Sequence, residues 1–266
     1  MLQLKKIEKF IFGMIHVPAL PGTPNHLLSV SQIIDLVLQE ANIYLDAGID
    51  GLMIENMHDV PYLKQKVGPE IIASMTAVAV ELRKLTTNPL GLQLLAAANQ
   101  QALAVAQAAQ FDFIRAEGFV YGHLADEGYI DSCAGKLLRY RKKIGAENIA
   151  IYTDVKKKHS SHALTSDVSL AETVKTAEYF LSDGIIITGS STGEAALVEE
   201  VKTAYASTNL PILIGSGISA ENLEIYWPYA DAFIVGSSLK VNGDWRNGVD
   251  KIRVKQLMEV VSQISK

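Results

Sequence analysis

The sequence predicts a single-domain α/β protein, a (β/α)8 TIM barrel over residues 1–266. Short apolar runs bounded by turn residues alternate eight times with segments of helical spacing, the pattern of a parallel sheet covered on both faces. A length of 266 residues with no linker or composition shift suits one barrel. The last two apolar runs also end in glycine–serine turns, where barrels often hold phosphate.

The predicted strands are Ile11–His16, Gly51–Glu55, Leu90–Leu94, Phe113–Arg115, Ile149–Asp154, Gly184–Thr188, Ile212–Gly215 and Ala232–Val235. After the first comes "VPALPGTP", with no G-x-G-x-x-G. That argues against a doubly wound sheet, and no nicotinamide or flavin cofactor is expected. Ile33, Ile34, Val37, Leu38, Ala41 and Leu45 form one helical stripe. Ile71, Met75, Val78, Leu82 and Leu85 form another, entered through Pro69 and Glu70 at its first turn. "SLAE", Ser169–Glu172, is a capping-box pattern before a helix carrying Ala177, Phe180 and Leu181.

Composition narrows the function classes. Apolar residues make up 48% of the chain, enough for a large core. A net charge of −5 argues against a general nucleic-acid binder. The single cysteine, Cys133, excludes an intrachain disulfide framework and reads as an ordinary helix residue. The N-terminal "MLQLKKIEKFIFGMIHV" is too short in its apolar part to span a bilayer and lacks a small-residue cleavage site. No membrane span and a cytoplasmic location are expected, with self-association as a base-rate expectation.

In a barrel, chemistry sits where strands end. His16 closes the first strand, Glu55 and Asn56 the second, and Arg115 and Glu117 the fourth. Asp154 and Lys156 close the fifth, Thr188 the sixth, Ser216 the seventh and Ser237 the eighth. Alternation along a strand puts Met53 with Glu55, Arg115 with Glu117, and Tyr152 with Asp154 and Lys156 on the barrel side. The aliphatic residues between them face the helices. Glu55, Asp154 and Glu117 are candidate acid–base groups, and Arg115, Lys156, Lys158 and His16 complete the candidate catalytic set. Within "DVKKKH", Lys157 should point outward as a plain surface charge, while Lys158 begins a loop that turns back over the mouth.

"PILIGSGIS" (Pro211–Ser219) and "ADAFIVGSSLK" (Ala230–Lys240) supply a candidate phosphate cradle of Ser216, Gly217, Gly236 and Ser237. Thr188 and Gly189 add further donors. His16, Glu55, Asp154 and His159 are the only suggestion of a divalent metal, and no short-range ligand pair supports it. His26, His58 and His123 fall in predicted loops, and His162 reads as solvent-facing or loop-packing.

Several blocks together resemble the BtpA/SgcQ family of TIM-barrel proteins. They are "GMIHVPALPGTP" (Gly13–Pro24), "ENMHDVP" (Glu55–Pro61), "DEG" (Asp126–Gly128), "LLRYRKKIGAE" (Leu137–Glu147), "DVKKKH" (Asp154–His159), "PILIGSGI" (Pro211–Ile218) and "IVGSSLKVNGDWRNGVD" (Ile234–Asp250). The resemblance implies a barrel of the ribulose-phosphate-binding type and says little about a reaction. One family member is linked to photosystem I accumulation, another lies in a bacterial sugar-uptake cluster. "RAEG" (Arg115–Gly118) stands where the family pattern often has asparagine after Arg-x. The expected function is an enzyme acting on a small phosphorylated metabolite, by isomerase, epimerase or lyase chemistry through an enolate-type intermediate. A non-catalytic assembly factor and a metal-assisted phosphohydrolase are the alternatives.

Overall fold

The computed structural model describes Leu4 and residues 9–265, so most of the charged N-terminal segment lies outside the described residues. In chain order the elements are β1 (Phe10–His16), α1 (Val30–Asp46), β2 (Gly51–Glu55), α2 (Pro69–Leu85), β3 (Leu90–Gln93), α3 (Asn99–Ala108) and β4 (Phe113–Ala116). Then come β5 (His123–Ala125), β6 (Gly128–Ile130), α4 (Ala134–Lys143), β7 (Ala150–Asp154), β8 (Ser160–Ser161), α5 (Leu170–Tyr179) and β9 (Gly184–Ile187). The chain closes with α6 (Val198–Ser207), β10 (Ile212–Ile214), α7 (Leu223–Tyr226), β11 (Ala232–Val235) and α8 (Lys251–Ile264). Strands β1, β2, β3, β4, β7, β9, β10 and β11 form a closed parallel barrel in sequence order, with β11 pairing β1. This is the expected TIM barrel, and the eight predicted strands are its staves.

Local chemistry sets the elements. Ser29 caps α1 by accepting from the Gln32 N–H, while the Gln32 side chain accepts from the Ser29 N–H at 2.9 Å. Pro69 opens α2. Ser169 caps α5 by accepting from the Glu172 N–H at 3.1 Å, one half of the expected box, but that helix ends at Tyr179, leaving Phe180 and Leu181 exposed rather than on a core stripe. At the opposite end of the barrel from the site, four aspartates act alike. Asp50, Asp112, Asp183 and Asp231 immediately precede β2, β4, β9 and β11. Each accepts from a backbone N–H at the start of the neighbouring strand, that of Ile11, Leu90, Ile151 or Ile212, at 2.8 Å. These N–H groups, on the first residue of β3 and β10 and the second of β1 and β7, stand opposite the residue just before the neighbouring strand begins, and the carboxylate there supplies their acceptor at every second strand.

Two cores follow from strand alternation. Phe12, Met14, Met53, Phe113, Tyr152, Ile186, Leu213 and Ile234 fill the barrel, while Leu52, Ile54, Ile114 and Ile151 pack under the helices. Glycine makes room for the interior rings: a Cβ at Gly91 would sit 2.1 Å from the Phe113 ring, and one at Gly184 2.6 Å from that of Tyr152. Above the staves lies a three-stranded antiparallel sheet, β6-β5-β8, in a region without any strand-like apolar run. His123 is therefore a buried strand residue rather than a loop histidine. Among the described residues, no helix is long and apolar enough to cross a membrane.

Candidate active site at the mouth of the barrel

A cavity of about 440 Å³ opens at the C-terminal ends of the staves. Its floor and one wall carry His16, Glu55, Arg115 and Lys158, and the opposite wall is made by the turns after β10 and β11.

Arg115 is the electrostatic centre. It projects from β4 into the barrel because Phe113, two residues earlier, does so. Its Nε and Nη2 donate to the two carboxylate oxygens of Asp154 at 2.9 and 2.8 Å, and its Nη1 donates to the Gly215 carbonyl at 3.3 Å. Burial opposes the guanidinium charge, but Asp154, with Glu55 and Glu117 nearby, holds its pKa above the ordinary arginine range. Both oxygens of Asp154 are thereby committed. Asp154 holds Arg115 in place and does not line the cavity, which argues against its expected acid–base role.

Glu55, at the end of β2, is the carboxyl that does face the cavity, and its side chain accepts no hydrogen bond among the described residues. Burial raises its pKa, and Arg115 and Lys158 offset only part of that. His16, at the end of β1, has its Nδ1 2.9 Å from the Trp245 carbonyl. A carbonyl can only accept, so Nδ1 carries the proton and Nε2 is left as an acceptor facing Gly236. Burial first, then the positive Lys240, lowers the His16 pKa to about 3, so the ring is neutral. His16, His58 and Trp245 form a cluster of rings that separates the mouth from an apolar cavity of about 790 Å³ beside α1.

The lysine triplet divides differently from its expected alternation. The β7 strand stops at Asp154, and Lys156 takes a left-handed backbone conformation with φ +47°. This turns its ammonium out of the mouth toward the Thr165 carbonyl, 3.5 Å away, so Lys156 leaves the candidate catalytic set. Lys157, expected to be a surface charge, is 8% exposed and donates to Glu117 Oε1 at 3.1 Å. The other Glu117 oxygen accepts from the Ala97 N–H at 2.8 Å. Burial works against the Glu117 charge, but Lys157 and Arg115 hold its pKa below the usual carboxylate range. Glu117 is thus a buried ion-pair partner behind the wall rather than a group at the mouth. Lys158 does reach the cavity, steered by its backbone N–H donating to Thr188 Oγ1 at 3.1 Å.

The glycine–serine wall has the geometry of an anion site. The backbone N–H groups of Gly217, Gly236 and Ser237 donate to no protein acceptor among the described residues, and all three residues line the cavity. Gly217 has φ +70°, and a Cβ there would meet the Ala195 nitrogen at 2.2 Å, so only glycine fits this turn. Asn222 braces it by donating to the Gly217 carbonyl at 2.8 Å. The Ser216 hydroxyl is already occupied: it accepts from the Gly189 N–H at 2.8 Å and donates to the Glu194 carbonyl at 3.0 Å. Thr188 and Gly189 accordingly serve loop closure and lie outside the cavity lining. The sequence reading missed Ser219, Asn222 and Arg253, which also line the cavity. Arg253, whose Nη1 donates to the Ser238 carbonyl at 3.3 Å, comes from α8 and carries no motif that would reveal it.

The four residues suggested for a metal do not converge. Asp154 is held by Arg115, and His159 is exposed and pairs with Thr192. Among the described residues, no group of three or more His, Cys, Asp or Glu is placed to hold a metal ion. Cys133 is the residue just before α4, accepts from Asn99 Nδ2 at 3.2 Å, and has its thiol pKa pushed up to about 11 by burial, which disfavours the thiolate a nucleophile needs.

Solved structures share this architecture. A thiamine phosphate pyrophosphorylase from Pyrococcus furiosus superposes with a TM-score of 0.59 at 14% identity, covering 98% of both chains. The N-(5′-phosphoribosyl)anthranilate isomerase of the same organism gives 0.58 at 11% identity, covering 96% of this chain and all of that one. At such identities the likeness is one of fold. Sequence relatives are closer. An uncharacterised mitochondrial protein of Caenorhabditis elegans is 50% identical over 99% of this chain and 96% of its own length. The cytoplasmic expectation therefore does not follow from the relatives. The photosystem I biogenesis protein BtpA of Synechocystis is 33% identical over 95% of this chain and 88% of its own. The model of the BtpA family matches residues 7–263, and the chain belongs to that family.

Proposed function

We propose that the protein is an enzyme acting on a small phosphorylated metabolite bound in the mouth of the barrel. The observation that carries this reading is one cavity shared by two complementary surfaces. On one side the free N–H groups of Gly217, Gly236 and Ser237 suit the oxygens of a phosphate, with Arg253 beside them. On the other, Glu55, His16, Arg115 and Lys158 suit proton transfer next to a carbonyl. Glu55, its pKa raised above the usual carboxylate range by burial, exchanges the proton. Arg115, fixed by Asp154, stabilises the developing enolate oxygen, and the bare Nε2 of His16 accepts from a ligand hydroxyl. Isomerisation or epimerisation is the chemistry this arrangement serves, with lyase cleavage through the same enolate.

The fold likeness to two barrels whose names include phosphorylated compounds agrees with this reading. The test is thermal stabilisation by a panel of sugar phosphates and by inorganic phosphate. Ser237→Asp places a negative charge in the cradle and should weaken phosphate binding at least tenfold, with the unliganded melting temperature reporting that the variant is folded. Unchanged phosphate affinity in a folded Ser237→Asp protein would move the anion site elsewhere.

A further inference from the structure

Lys158 stands apart from its two neighbours. The Lys156 ammonium reaches a carbonyl and the Lys157 ammonium a carboxylate, whereas that of Lys158 donates to no acceptor among the described residues. Its backbone is tied to Thr188, and its side chain enters the mouth beside Glu55 and Arg115, facing the glycine–serine wall. A lysine serving only to bind phosphate gains by staying charged and exposed to water. Lys158 is instead half-buried and shares its cavity with a guanidinium that is permanently charged, which disfavours a second positive charge there.

We propose that Lys158 is a covalent catalytic residue, whose amine condenses with the carbonyl carbon of a phosphorylated aldehyde or ketone held in the mouth. This rests on the phosphate-binding reading above and adds the functional group that the ligand must carry. The neutral amine attacks the carbonyl carbon, the nitrogen gives up a proton, and the carbonyl oxygen takes one to form a carbinolamine. Protonation of that hydroxyl by the Glu55 carboxylic acid releases water and leaves the protonated imine beside the Glu55 carboxylate, with no oxidant or reductant needed. The protonated imine then draws electrons from the adjacent carbon, which is what isomerisation or aldol-type cleavage requires. Burial, and then the charge of Arg115, lower the Lys158 pKa to about 8. At pH 7.5 roughly a quarter of such amines are neutral, about 200-fold more than for a lysine of ordinary pKa.

Pyridoxal 5′-phosphate, an aldehyde carrying a phosphate, is a suitable probe, with pyridoxal as its unphosphorylated counterpart. The full chain is incubated with each, reduced with borohydride and mapped by peptide mass spectrometry. The expected result is one dominant adduct on Lys158, with a labelling rate half-maximal near pH 8 and at least tenfold slower with pyridoxal. Lys158→Arg, confirmed as folded by circular dichroism, should lose that adduct. Labelling spread over exposed lysines such as Lys142, with Lys158 unmodified, overturns the proposal. Phosphate-dependent thermal stabilisation then shows separately whether the anion site survives. Equally fast labelling of Lys158 by pyridoxal would support the amine and overturn the phosphate reading.

Discussion

Replacing Asp154 with asparagine tests whether the mouth is organised around a buried ion pair. The substitution keeps the shape of the side chain and removes its charge. Arg115, whose side chain is 5% exposed, then retains the Gly215 carbonyl and the nearby Glu55 but loses its bidentate partner. Stranding one member of a buried pair costs about 3–5 kcal/mol, and the surviving contacts put this case near the lower end, about 3 kcal/mol. A chain of 266 residues unfolds with an entropy of about 0.56 kcal/mol/K, so the melting temperature should fall by about 5 °C. Calorimetry at pH 7.5 measures this, with urea unfolding as a second determination. Arg115→Met alone strands the carboxylate instead. The double variant Arg115→Met with Asp154→Asn should be less destabilised than the sum of the singles by at least about 2 kcal/mol. A melting temperature within about 1 °C of wild type for Asp154→Asn, or additivity within about 0.5 kcal/mol, would refute a coupled pair.

Two further outcomes follow from the geometry. His16 has a folded pKa lowered to about 3 against an ordinary 6.5, so the unfolded chain takes up the proton first. Its neutral burial is fully tolerated above pH 6.5 and costs stability as pH falls from there toward 3; between pH 7 and 5 the loss is about 2 kcal/mol. His16→Gln should flatten the stability profile by that amount over that interval in urea titrations, and an unchanged profile would contradict a buried neutral imidazole. Gly91→Ala forces a methyl into the Phe113 ring and should destabilise by at least about 2 kcal/mol, whereas Gly91→Ala combined with Phe113→Leu should recover part of the loss. No recovery on shortening the ring would mean that the glycine is needed for some reason other than steric room.

The barrel itself was legible because its signals are local and repetitive. Eight apolar runs were bounded to within a residue or so, and the alternation of Leu52–Ile54 against Met53–Glu55 assigned the helix-facing and interior sides. The aspartates at 50, 112, 183 and 231 were visible as strand boundaries, but their shared task, holding an N–H near the start of a neighbouring strand, appears only when strands distant in sequence stand side by side. The small sheet β6-β5-β8 was missed for a similar reason. Its strands are two or three residues long, too short for any period to show, and β8 comes from a different loop.

The amino-acid sequence by itself determined the barrel, the order of its staves and the ring of polar residues at their ends. Periodicity is a property of regular backbone, and a stave remains regular up to its last ladder hydrogen bond. Beyond that point the tertiary structure decides. Strand alternation carried past Asp154 pointed Lys156 inward and Lys157 outward, but the left-handed turn at Lys156 cancels the alternation. Glu117 then draws Lys157 into the protein, and the anchor on Thr188 sends Lys158 into the mouth. The same holds for Ser216, whose hydroxyl looked free in sequence and is occupied by two partners from the loop after β9. Which polar side chain at a strand end is available for chemistry depends on where its hydrogen bonds already go, and those partners come from other turns of the barrel.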